Sequence, residues 1–148
     1  MKNLGAKAWL SLALLALAMG LLLFVPAGTV DYWQGWVYLS LFFGASALTT
    51  LYLLKRDRAL LERRMSGGPT AEKRSTQKII MTATSIGFIA LLVVPGLDHR
   101  FGWSAVPLVV VIAGDVLVAA GFSLIFIVYR ENTFTSATIE LAENQTVI

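Results

Sequence analysis

Residues 8–26 read Ala-Trp-Leu-Ser-Leu-Ala-Leu-Leu-Ala-Leu-Ala-Met-Gly-Leu-Leu-Leu-Phe-Val-Pro, and no charged side chain occurs between Lys7 and Asp31. The stretch has neither the alternation of a half-buried strand nor the polar face of a surface helix. A helix rising about 1.5 Å per residue crosses a bilayer core of about 30 Å in roughly 20 residues. Hydrocarbon offers no hydrogen-bond partner to the backbone, so the segment is expected to be an α-helix that spans a membrane. Lys2 and Lys7 would suit the head of a signal peptide, but the apolar run is longer than the usual core of about 7–15 residues. No small-x-small cleavage site follows Phe24, so a retained helix is expected.

Working outward, three more runs repeat the pattern. Tyr32–Leu54 is uncharged, opens on Tyr32, Trp33 and Trp36 and closes on Lys55 and Arg56. Ile79–Leu97 contains Thr82, Thr84 and Ser85 but no charge, and Val106–Tyr129 is interrupted only by Asp115. The 148 residues are 57% hydrophobic and 14% charged, against about 25% charged in soluble domains. The expected fold is all-α, one transmembrane domain with about four spans and a basic cytoplasmic loop at 55–78. The runs lack the alternation of barrel strands.

Eleven of the twelve Lys and Arg fall on one side of this arrangement: Lys2, Lys7, the loop cations from Lys55 to Lys78, and Arg130. Arg100 alone is on the other. The positive-inside rule places both chain ends and the loop in the cytoplasm, and the plasma membrane of a bacterium is the expected site. Within the loop, Arg56–Met65 mixes cations with Ala59, Leu60 and Leu61 and reads as a short interfacial helix, followed by a turn at 66–70 (Ser-Gly-Gly-Pro-Thr). The cations suit anionic headgroups. A net charge of +3 is too small to suggest nucleic acid.

Several chemistries are disfavoured. Without cysteine there is no disulfide framework, thiolate nucleophile or cysteine metal site. His99, the single histidine, falls in the short outer loop, so no metal site is expected. No phosphate-binding glycine loop appears. Gly114 and Gly121 sit in the fourth apolar run, where small residues often mark close helix packing. Asp115 is the one acidic group at membrane depth. An unpaired charge there costs at least about 2.5 kcal/mol, so it should face a polar cavity or a neighbouring hydroxyl such as Thr49, Thr50 or Thr84.

Four blocks, taken in order, carry a resemblance. They are Tyr-Trp-Gln-Gly-Trp-Val-Tyr-Leu at 32–39, Leu-Leu-Glu-Arg-Arg-Met-Ser-Gly-Gly-Pro-Thr-Ala-Glu-Lys at 60–73, Gly-Leu-Asp-His-Arg-Phe-Gly-Trp-Ser at 96–104, and Arg-Glu-Asn-Thr-Phe-Thr-Ser at 130–136. Together they cover nearly the whole chain, which resembles the isoprenylcysteine carboxyl methyltransferase family in its broad bacterial branch. The resemblance implies a membrane methyltransferase that uses S-adenosylmethionine, with a lipidated or hydrophobic acceptor entering sideways from the bilayer. It also implies that Arg130, Glu131, Asn132, Phe134 and Gln145 shape the mouth of the cofactor or substrate pocket. The family's Gly-Pro-Tyr and Arg-His-Pro-x-Tyr elements do not occur in this sequence. No catalytic residue is therefore assigned, and these 148 residues are expected to be an amino-terminal portion inactive alone. Methyl transfer from a sulfonium is an in-line displacement that needs positioning more than acid–base help, and no metal is expected. The alternatives are a non-catalytic scaffold that packs against a partner or a second copy of itself, and a small transporter with Asp115 on its pathway.

Overall fold

The computed structural model describes residues 3–65 and 75–131. They form five helices: α1 (Leu4–Ala27), α2 (Trp33–Arg56), α3 (Arg58–Met65), α4 (Ser75–Phe101) and α5 (Leu108–Glu131). No strand occurs among the described residues. The four long helices have the length and hydropathy to cross a membrane, and the short helix expected in the basic loop is α3.

Helix limits extend past the apolar runs. α4 begins at Ser75 and ends at Phe101, whereas its run is Ile79–Leu97. The backbone keeps its hydrogen-bond ladder through the polar flanks, because a helix ends where its geometry is broken and not where its hydrophobicity fades. The breaks are visible. α1 ends at Gly28, whose φ of 69° lets its N–H reach the carbonyls of Phe24 and Val25. α4 ends at Gly102, where φ is 62° and the N–H donates to the Asp98 carbonyl at 2.7 Å. Pro107 stands immediately before α5, where a missing N–H costs nothing. Asp57 ends one helix and starts the next. Its N–H donates to the Leu53 carbonyl, and its Oδ1 accepts the Leu60 N–H at 2.9 Å.

α1 packs against α4 and α2, and α2 also packs against α5 and α3. One core cluster lies at the basic end, where Leu60 and Leu61 of α3 pack on Ala8 and Leu53. A second joins Met19, Leu23, Leu39 and Leu92 across α1, α2 and α4. Beside it Phe42 links three helices, with ring centroids 6.3 Å from Phe88 of α4 and 5.1 Å from Phe122 of α5.

Close backbone approach occurs at Gly96 of α4, where a Cβ would lie 2.5 Å from the Leu23 carbonyl oxygen and 3.2 Å from the Ala27 nitrogen. Gly114 and Gly121 do not have the packing role expected of them, since a Cβ at either would meet nothing within 4 Å. Gly114 is exposed and Gly121 half-buried on α5, a helix with no buried residue. The apolar surface so exposed is what lipid, and not water, would solvate. The hydroxyls of Thr82, Thr84, Ser85 and Ser123 bond back to carbonyls four residues earlier, which satisfies them without a neighbouring helix.

Candidate functional site

Lys7, Lys55, Lys78 and Arg130 lie near those ends of α1, α2, α4 and α5 that meet at the basic side, and Arg58 opens α3. α3 is tied to the end of α5 by the Arg64 guanidinium, 5.0 Å from the Tyr129 ring centroid. At the end of α5, Arg130 Nε and Nη2 donate to Glu131 Oε1 at 3.1 and 3.0 Å. Both side chains are exposed, and neither lines any of the four main cavities. Of the expected pocket-mouth residues, the structure brings these two together as a neighbouring ion pair. Asn132, Phe134 and Gln145 lie outside the described residues.

A cavity of about 590 Å³ forms a groove between α2 and α5. Gly44, Ala45 and Ala119 keep the helices' side chains short along it, and Leu48, Phe122 and Phe126 supply apolar walls. Its polar atoms are few, because the Ser123 and Thr49 hydroxyls are turned to their own helix carbonyls. Such a groove suits a hydrocarbon chain.

A different cavity of about 380 Å³ opens at the opposite end, between α2, α4 and α5. Tyr32, Gln34, Tyr38, Asp98, Ser104 and Asp115 line it. Ser104 Oγ donates to Asp98 Oδ2 at 2.7 Å. Tyr32, which precedes α2, stacks on His99 with centroids 4.2 Å apart. Burial pushes the Tyr32 phenol above its ordinary value, and the nearby Asp98 carboxylate adds to the shift. Gln34 Oε1 is fully buried and has no hydrogen-bond donor.

Asp115 belongs to this second cavity. Of the hydroxyl partners expected for it, Thr49 bonds the Ala45 carbonyl and Thr84 that of Ile80. Because α5 starts at Leu108, Asp115 is two turns in, about 10 Å along the axis. That places it between the Leu108 end of α5 and the middle of the helix. The polar groups around it were overlooked in the sequence, although one signal was available: Gln34 is the single side-chain amide of α2, and Asp98 the single acid of α4. Among the described residues, no group of three or more His, Cys, Asp or Glu is placed to hold a metal. Comparison of the chain with protein-family models, curated proteins and solved structures gives no match.

Proposed function

We propose that this chain is the membrane-embedded front portion of an S-adenosylmethionine-dependent methyltransferase resembling the isoprenylcysteine carboxyl methyltransferases, with a lipidated or hydrophobic acceptor. The observation that carries the reading is the apolar groove between α2 and α5, wide enough at about 590 Å³ for a hydrocarbon chain and walled by Leu48, Phe122 and Phe126. The four sequence blocks support the resemblance to that family. In this reading the basic end faces the cytoplasm of a bacterium, both chain ends lie there, and α3 lies flat on the headgroups beneath the groove. The resemblance assigns a pocket-mouth role to Arg130 and Glu131, at the end of α5, and to Asn132, Phe134 and Gln145, which lie outside the described residues. Bound S-adenosylmethionine would supply the methyl group from its sulfonium for an in-line displacement by the acceptor. The protein's part is to align acceptor and methyl group and to keep water away.

Because Gly-Pro-Tyr and Arg-His-Pro-x-Tyr are absent from this sequence, the proposal assigns transfer to a segment that carries them. The experiment is calorimetric titration of S-adenosylmethionine into the purified chain in detergent, alone and joined to such a segment. Binding by the joined protein only is the expected result. Binding by the chain alone would move the cofactor site into these helices, and binding by neither would end the methyltransferase reading.

A second reading has one observation in its favour. α5 has no buried residue, and its exposed Val109, Ile112, Val116 and Leu117 would suit a scaffold that packs on a second copy or another membrane helix. Under that reading the chain cross-links as a defined oligomer in lipid and binds no cofactor in either form.

A further inference from the structure

We infer that the groove between α2 and α5 and the cations beyond its basic end form one binding site for an anionic phospholipid. An acyl chain lies in the groove, and the phosphate headgroup rests on Lys55, Arg64 and Arg130. The inference shares the groove with the proposed function but does not rest on methyl transfer. Along α2 the lining runs from Ser40 to Thr49, about 14 Å at 1.5 Å per residue. The Thr49 and Ser123 hydroxyls bond carbonyls of their own helices, so the walls offer an alkyl chain few polar atoms. An apolar groove alone does not select what fills it.

The selection comes from charge at one end. Both helices run towards the basic side and finish there. Lys55 follows the groove residue Leu48 by seven positions, and Arg130 follows Phe126 by four and Ile127 by three. These helical spacings put each cation on the groove face of its helix. Cα–Cβ bonds tilt towards the helix N-terminus, so both side chains lean back over the groove's end. The third cation arrives with α3, whose Arg64 guanidinium lies 5.0 Å from the ring centroid of Tyr129, the residue before Arg130. At the same end the Tyr52 ring closes on Phe126 with centroids 4.8 Å apart. Tyr52 and Tyr129 both pack against the leucines of α3, and tyrosines are the side chains that favour headgroup depth. Lys55, Arg64 and Arg130 are all exposed. Lys55 and Arg64 form no ion pair among the described residues. Arg130 gives two N–H groups to Glu131, which leaves three of a guanidinium's five donors.

The occupant follows from joining the two features. A chain without a charged head would leave the three cations without a counter-charge, and a zwitterionic head brings its own cation to them. A phosphate with net negative charge answers all three, and arginine forks suit its oxygens. The opposite end of the groove has no such group. Arg100, the one cation there, packs 3.5 Å from the position a Cβ would take on Gly28, beyond α1, so the head has one place to go. Setting the chain's orientation asks only for an excess of Lys and Arg on one side. It does not ask that they continue the walls of an apolar groove, or that α3 hold a guanidinium against Tyr129.

The test uses the full chain in detergent without cofactor, titrated with dioleoyl phosphatidylglycerol or dioleoyl phosphatidylcholine and read by native mass spectrometry. Retention of one phosphatidylglycerol per chain, about tenfold or more tighter than phosphatidylcholine, is expected from several cations at headgroup depth. Lys55→Gln and Arg64→Gln should each weaken phosphatidylglycerol by about fivefold and leave phosphatidylcholine unchanged. Gly44→Leu fills the groove, since a Cβ there meets nothing within 4 Å, and should abolish retention with every cation in place. Thermal unfolding checks that the variants are folded, and Ser123→Leu on the facing wall replaces Gly44→Leu if that one is not. Equal retention of the two lipids overturns the inference. So does undiminished phosphatidylglycerol in the filled groove, which would mean that the cations hold lipid without it. A lipid-free dimer would give the groove to a second copy and would overturn it as well. Because no cofactor is present, the outcome is independent of the S-adenosylmethionine titration, and either reading can fail while the other stands.

Discussion

At the scale of single residues, glycines divide the molecule into packed and open positions, and the division can be measured. Gly96 lies where a Cβ would come within 2.5 Å of the Leu23 carbonyl oxygen, which is backbone and cannot swing away. Gly96→Ala is therefore expected to destabilise the α1–α4 pair by about 1–3 kcal/mol, the usual cost of overpacking. Gly114→Ala on α5 meets no atom within 4 Å and should leave the unfolding midpoint unchanged or slightly raised, since alanine favours the helix. Thermal unfolding of the two variants side by side decides the matter, and equal losses would show that α5 is packed in a way this arrangement lacks. The sequence pointed to the wrong glycines because a glycine in an apolar run signals only that a close approach is possible. Which helix arrives there depends on tertiary contacts that no local pattern encodes. The same holds for Asp115. Its oddity was legible from its surroundings in the chain, but Gln34 and Asp98, which line the same cavity, come from other helices.

At the scale of elements, the helices were legible because hydrophobic run length is a direct physical requirement of the solvent, and α3 because its leucines and cations segregate within eight residues. Less legible were the limits, which depend on glycine geometry and on single capping groups such as Asp57. That residue gives a second prediction. Asp57→Ala removes the acceptor of the Leu60 N–H and should destabilise α3 by about 1 kcal/mol. Leu60 gives a third. It is fully buried against Ala8 and Leu53, so Leu60→Ala leaves a cavity and should cost about 2–5 kcal/mol. Faster amide exchange across α3, with α1 and α4 unaffected, is the expected signature of both. If exchange stayed slow in Leu60→Ala, something other than this cluster would be holding α3 in place.

At the scale of the whole molecule, the two ends of the bundle differ in charge and in chemistry. α3, the ion pair of Arg130 with Glu131 and most of the cations occupy one end, and the acceptor-rich cavity occupies the other. If the four long helices cross a membrane, the two ends meet opposite compartments, and the orientation of the chain decides which compartment each one meets. A chain without cysteine makes that orientation directly measurable, since a single introduced thiol has no background. Val30 is exposed between α1 and α2, and Ser75 is exposed at the start of α4 on the basic side. If the excess of Lys and Arg sets topology as it does elsewhere, a membrane-impermeant maleimide added to intact bacterial cells will label the Val30→Cys variant and spare the Ser75→Cys variant until the membrane is opened. The reverse pattern would place the basic end outside, where S-adenosylmethionine is not available, and would remove the physical basis of a methyltransferase reading. Labelling of both thiols at equal rates would mean that the chain inserts in two orientations, and the charge difference between its ends would then be too weak to fix its direction.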